Sequence, residues 1–345
     1  MKLSLHKVQM PMRRVVKAVH ESVAIRHTVV IELLGAGQTF WSEAPGFFTN
    51  QYMPESHDQL WHVWNESGPS ILDAFSQDRV PELCRQLSTQ PLFRFSIEVL
   101  LCQWEAFQQQ RSLGAYLGIH DRKVSGSAMV GIYSSPDDYL DHFNEIEFMG
   151  YRGVKLKVTP SSVSVIAEII DDACQRFDHV CLDANGSFDL MTLPRLQQMP
   201  HTVLIEQPVF DQNQLFDFID HGSHTVLLDE IIQSEGDLDA FLDRPVGVML
   251  KPVRCGGLKA TMAMINACRN RQLDCGLSGY LDSGIGRYFQ WVLAQNNRLT
   301  LRPDFVWSDY YFESDVCLIK PELSLADPFP KVKRDWFAET VTFTV

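Results

Sequence analysis

The sequence predicts an α/β protein, a TIM-type barrel preceded by a small α+β domain, and three observations predict it. From about Lys123 onward, short apolar runs alternate with amphipathic stretches of helix length. Charged residues recur where those runs end, which is where a barrel of this kind builds its sites. The first hundred residues have another texture, long strand-like runs followed by one apolar helical face.

In the amino-terminal part, residues 15–34, ending in HTVVIELLG, and the stretch QTFWSEAP read as consecutive antiparallel strands. RFSIEVLLCQWEAF then places Ile97, Leu100, Leu101, Trp104 and Phe107 on one helical face. Eight barrel strands are expected, near SAMVGI, GVKLKV, HVCLDAN, TVLIEQP, TVLLDE, GVMLKP, DCGLSGY and LRPDFVW. Helices are expected near 136–149, 161–176, 213–220, 235–242, 258–271 and 285–295.

Composition narrows the function. With 30 Lys and Arg against 43 Asp and Glu, the 345-residue chain carries a net charge of −13, which opposes a phosphate backbone or an anionic lipid surface. No nucleic-acid or membrane partner is expected. No run approaches a membrane span, and the opening MKLSLHKVQMPMRR has no apolar core of signal-peptide length, so a cytoplasmic location is expected. The eight cysteines contain no C-x-x-C pair, arguing against a zinc site or a disulfide framework. They read as small buried hydrophobes.

The functional signal lies in what ends each strand. Lys155 and Lys157, Asp183 with Asn185, Glu206, Asp229 with Glu230, and Lys251 fall on five successive strands. Positions 157, 183, 206, 229 and 251 are separated by 26, 23, 23 and 22 residues. Charges gathered at one barrel mouth lose hydration, so they must neutralise one another or bind an ion. Three carboxylates from adjacent strands make an oxygen cage that suits Mg²⁺ better than zinc, which would draw His or Cys. Each stretch also has a plain structural reading. The alternation in GVKLKVTP suits a solvated edge strand, and DAN a turn. EQP could be a strand stopped by Pro208, DEI a helix cap, and KPVRCGG a loop using Gly256 and Gly257 for unusual backbone angles. Five such ends in order and evenly spaced favour one shared site.

The ordered Lys-x-Lys, Asp-x-Asn, Glu-x-Pro, Asp-Glu and Lys-Pro-x-x-x-Gly-Gly ends resemble the enolase superfamily, in its muconate lactonizing enzyme subgroup. RRVVKAVHESVAIRHTVVIELL followed by WSEAP resembles the family's capping domain and its turn, and FSIEVLLCQWEAF the helix leading into the barrel. The resemblance implies a (β/α)7β modified TIM barrel at 116–315, an α+β capping domain at 1–115, and a carboxyl-terminal segment, 316–345, returning to the cap. It implies Mg²⁺, or Mn²⁺ in its place, held by Asp183, Glu206 and Asp229. It further implies a general base at Lys157 with Lys155 beside it, and Lys251 on the opposite face. A small carboxylate substrate would then lose its α-proton and form an enediolate. Free lysine titrates near ~10.4, and Lys155 is expected to push Lys157 toward the ~7–8 useful in a base. Asn185, Glu230, Ser278 and Asp282 are expected to contact substrate or support these groups.

Ser42 stands where the family's cap turn usually has glycine, and Asp282, in GLSGYLDSGIGR, where Glu is common. Both departures bear on the substrate pocket. The subgroup's activities include o-succinylbenzoate synthesis, dipeptide epimerisation, N-acylamino acid racemisation and muconate cycloisomerisation. Its familiar epimerases hold the substrate ammonium with an Asp-x-Asp pair after the eighth strand, whereas DFVWSDYYFESD offers Asp304 and Asp309, with Glu313-Ser314-Asp315 beyond. An aromatic-rich cap (Phe40, Trp41, Phe47, Phe48, Tyr52) suits a largely apolar ring. The expected reaction is therefore the dehydration that yields o-succinylbenzoate for menaquinone, with racemase, epimerase and, further off, cycloisomerase chemistry as alternatives. A ligand-binding barrel without catalysis is the non-enzymatic alternative, and two flanking lysines speak against it. Oligomeric state is not legible.

Overall fold

The computed structural model describes residues 1–327 and 329–344. Strands β1 (Lys2–Lys17), β2 (Ser22–Gly35) and β3 (Gln38–Ala44) form an antiparallel sheet. The run expected at 15–34 is thus two strands, broken at residues 18–21, where the Ala18 N–H donates to the Glu21 carbonyl at 2.9 Å. β1 escapes a search for alternation because Ser4 and His6 are buried along with Leu3 and Leu5. Ala36 and Gly37, at φ 50° and 76°, make the two-residue turn into β3, whose twist matches the strands it joins.

Three helices follow: α1 (His57–Ser76), opened by a Ser56–Gln59 capping box, α2 (Val80–Gln86) and α3 (Pro91–Gln108). α3 binds the cap sheet through Gln103, whose Nε2 donates to the Trp41 carbonyl at 2.7 Å. A short α4 (Leu113–Leu117) leads to the barrel.

There β4 (Ser127–Val130), β5 (Gly153–Lys157), β6 (His179–Asp183), β7 (Leu204–Glu206), β8 (Val226–Leu228), β9 (Val246–Leu250) and β10 (Asp274–Leu277) form one parallel sheet in sequence order. Its crossovers are α5 (Pro136–Phe148), α6 (Val163–Arg176), a 3₁₀ turn at Leu193–Gln198, α7 (Gln212–His221), a second 3₁₀ turn at Glu235–Phe241, α8 (Pro252–Cys255) and α9 (Leu258–Asn270). α10 (Gly284–Ala294) and α11 (Ser308–Tyr311) follow β10.

The expected eighth strand at LRPDFVW does not form a ladder, because Pro303 has no N–H to donate. Residues 301–304 close the ring irregularly. Leu301 and Asp304 donate to the Cys275 and Leu277 carbonyls of β10 at 3.0 and 2.7 Å, and Ser127 of β4 donates to the Pro303 carbonyl at 2.9 Å. Inside the ring, Cys181, Leu227 and Met249 pack with Leu204 and Leu301 as an apolar floor. The last strand, β11 (Phe337–Thr344), returns to pair antiparallel with β1. All eight cysteines are free, six of them buried.

Candidate active site

Strand register sets the site. Lys157 on β5 lies beside Asp183 on β6, and Asp183 beside Glu206 on β7. Asp229 follows the end of β8 and Lys251 the end of β9. Lys155, Lys157, Asp183, Asn185, Lys251, Ser278 and Asp282 all line one cleft. Glu206 and Asp229, both fully buried, and the partly buried Glu230 touch cleft residues, namely Lys155, Lys251 and Asn185. Every residue expected at the site is therefore in one place.

Asp183, Glu206 and Asp229 are each met by a cation. The Lys157 ammonium donates to Asp183 at 2.6 Å and to the Asn185 side-chain carbonyl at 2.7 Å. Asn185 passes a hydrogen bond to Glu230 at 2.9 Å. Lys155 donates to Glu206 at 3.0 and 3.2 Å, to Ser278 at 3.2 Å and to Asp304 at 2.6 Å. Lys251 and Arg254 both donate to Asp229. Asp282 turns to the Tyr280 N–H at 2.9 Å.

The electrostatics follow from this pairing. Burial opposes charge on Lys155, but Asp304, Glu206 and Asp183 outweigh it and hold the ammonium well above its ordinary range. Burial likewise opposes charge on Lys157, yet Asp183 raises it by more than Lys155 lowers it. The expected depression of Lys157 is thus reversed in this arrangement, because its carboxylate partner is closer to it in effect than its cationic neighbour. Glu206 is pushed well up by burial and by Asp183, Asp304 and Asp229. Asp183 stays low despite burial, held by Lys157, Lys155 and Lys251.

Among the described residues no three acidic, His or Cys side chains are arranged as a finished metal cage. The donor set nevertheless fits a hard cation. Asp183, Glu206 and Asp229 are fully buried neighbours at 0% exposure, and such acids require compensating positive charge, here supplied by lysine and arginine.

Several residues of the site were not singled out from the sequence. Asp304, which the sequence offers only toward an ammonium-binding pair, anchors Lys155. Arg254, three residues after Lys251, faces the same carboxylate. Gln207 (φ 38°) organises the strand ends, its Oε1 accepting the Asp229 N–H at 3.1 Å and its Nε2 donating to the Val209 carbonyl at 2.9 Å. The signal for Gln207 was its place between an acid and a proline. Of the cap aromatics, Phe47 and Tyr52 line the cleft. Phe40 and Trp41 instead pack against Trp104 and Phe337, and Phe48 against His27 and His57. Ser42 is buried and its hydroxyl makes no hydrogen bond.

Residues 138–329 match the family described as Enolase C-terminal domain-like. The chain belongs to the enolase superfamily. It is 24% identical to the o-succinylbenzoate synthase of Bacillus subtilis (strain 168) over 353 positions, covering 96% of this chain and 91% of that protein. It is 25% identical to an N-succinylamino acid racemase of Amycolatopsis sp over 331 positions, 92% of this chain and 89% of the relative. A mandelate racemase/muconate lactonizing enzyme homologue from Roseovarius nubinhibens ISM, solved in complex with magnesium, superposes with a TM-score of 0.83 at 19% identity, covering 100% of this chain and 99% of that one. This superfamily membership makes the chain an enzyme that shares the superfamily's barrel fold. No helix among the described residues is long and apolar enough to cross a membrane.

Proposed function

We propose that this chain removes the α-proton of a small carboxylate with Mg²⁺ bound, and that its reaction is the dehydration that forms o-succinylbenzoate. The observation that carries the proposal is the row Lys157, Asp183, Glu206, Asp229, Lys251, with a basic side chain at each end of three carboxylates. Asp183, Glu206 and Asp229 would hold the cation. Bound there, it would offset negative charge developing on the substrate carboxylate and draw Asp183 away from Lys157, leaving Lys155 free to lower the amine. Lys157 takes the proton and returns it to the departing hydroxide, and Lys251 faces the developing anion as a cation. Asn185 orients Lys157, and Ser278 and Asp304 fix Lys155. Phe47, Tyr52, Tyr280 and Val306 supply apolar or aromatic walls for a ring.

Support for dehydration over other outcomes comes from the o-succinylbenzoate synthases among the relatives. A place in menaquinone biosynthesis and in the cytoplasm follows from that reading. A second reading, racemisation of N-acylamino acids, is favoured by the racemases of similar identity and by the two lysines, one available to each face of an α-carbon.

The test is formation of o-succinylbenzoate from its cyclohexadiene precursor, followed by absorbance beside a panel of N-succinylamino acids and dipeptides. Chelation should abolish turnover, with Mg²⁺ or Mn²⁺ restoring it. Full activity in chelated enzyme would overturn the metal assignment. Turnover of the N-succinylamino acids alone would transfer the proposal to the racemase reading.

A further inference from the structure

Residues 304–307 face two ways, as extended chain does. Asp304 and Val306 line the cleft, whereas Phe305 and Trp307 line a second cavity of about 670 Å³. That cavity lies between α10, which contributes Trp291 and Gln295, and the chain entering β4 and β5 at residues 121–126 and 149–152. Its volume falls within the roughly 300–1,000 Å³ of small-molecule sites. No residue of the proposed reaction lines it. The two cavities nevertheless share one wall, since Asp304, whose carboxylate holds Lys155 at 2.6 Å, is next to Phe305 in the chain.

The lining joins an aromatic face to unmatched positive charge. Trp307 is half-buried and stands edge-on to Phe305, with ring centroids 4.9 Å apart and planes at 89°. Its backbone N–H donates to the Tyr151 hydroxyl at 2.8 Å, so the indole is held in place before any ligand arrives. Arg122 and Lys123 are exposed at the rim, and among the described residues neither side chain has an ion-pair or hydrogen-bond partner. The Arg122 backbone N–H donates to Gln295 Oε1 at 2.8 Å, which fixes the pair against α10. The adjacent acid, Asp121, is engaged by the Ser324 hydroxyl at 2.9 Å and the Leu325 N–H at 2.8 Å, and Arg152 is matched by Asp178 at 3.0 Å. Two free cations beside an indole, in a chain of net charge −13, suit a ligand that carries both a ring and an anionic group, whose oxygens match the guanidinium fork.

We propose that this cavity binds a small aromatic anion of the benzoate type, its ring against Trp307 and its anionic group at Arg122 and Lys123, as a ligand site separate from the cleft. The site stands whichever carboxylate the cleft turns over.

The experiment titrates the full chain with 1-anilinonaphthalene-8-sulfonate and with its uncharged parent, N-phenyl-1-naphthylamine, reading dye fluorescence in the presence of a chelator so that no Mg²⁺ in the cleft draws the anion. Wild type should bind the sulfonate at least about tenfold more tightly, the size expected for two charged contacts at an exposed rim. The double variant Arg122→Ser, Lys123→Ser should lose about that factor for the sulfonate and nothing for the parent. Removing two exposed cations elsewhere, with Arg85→Ser and Arg269→Ser, should leave both affinities unchanged. Benzoate should displace the sulfonate dye, and acetate at the same concentration should not. Equal wild-type affinity for the two dyes, a sulfonate affinity unmoved by losing Arg122 and Lys123, an equal loss in the Arg85 and Arg269 variant, or equal displacement by benzoate and acetate each overturns the proposal. The wild-type comparisons need no variant to fold.

Discussion

Lys157 and Lys251 close the two ends of one row of acids, and substitution separates their roles. Lys157→Ala should cut turnover and α-proton exchange by the ~100- to 10,000-fold that a general base contributes. Lys251→Arg keeps the charge without a usable base, so a dehydratase should retain measurable turnover, whereas a racemase should lose exchange for one enantiomer only. Proton exchange in D₂O with both enantiomers of an N-succinylamino acid distinguishes these outcomes. At this scale, the charged residues were legible because a lysine or aspartate ending an apolar strand stands out against its neighbours. Gln207 was not. An uncharged side chain at a strand end gives no contrast, and its importance comes from partners that only the fold reveals. Asp304 was visible, but its link to Lys155 spans the ring and leaves no local pattern.

Among elements, the contact of α3 with the start of α9 offers a pH test. Glu98 on α3 accepts the Lys259 N–H at 3.1 Å, and its other oxygen occupies the space where a Gly257 Cβ would project, at φ 143°. Burial pushes the Glu98 carboxyl up to about 7 from 4.5. Between those values the native chain keeps a proton that the unfolded chain gives up, so this contact is worth most below pH 4.5 and loses stability as pH rises toward 7. Glu98→Gln should flatten that part of the curve, read as the urea midpoint from pH 5 to 8. An unchanged slope would remove Glu98 as the cause. Gly257→Ala should destabilise by more than about 1 kcal/mol, because both the backbone angle and the space forbid it. The strand–helix alternation was legible because parallel strands are buried on both faces and read as continuous apolar runs. β1 and the eighth position were misread for opposite reasons: β1 buries polar residues on its paired face, and LRPDFVW has a strand's apolar content but a proline where a donor is needed.

For the molecule as a whole, β11 near the carboxyl terminus is part of the amino-terminal sheet. β11 pairs with β1 from Lys2 opposite Thr344 to Val8 opposite Phe337, and the Phe343 ring sits against Gly68 of α1. Deleting residues 337–344 should lower the melting temperature and leave β1 as an open edge, detectable as concentration-dependent light scattering. A truncated chain with unchanged light scattering and unchanged melting would show that the pairing contributes little. The irregular closure at 301–304 has a kinetic consequence. Seven strands can pair with sequence neighbours as they emerge, but the joint between Ser127 and Pro303 must wait until nearly the whole barrel has been synthesised. A contact between such distant positions is slow to form. Until it does, β4 and β10 present bare edges, so a refolding chain should pass through an open-ring intermediate prone to self-association, with dilution favouring recovery of the native protein.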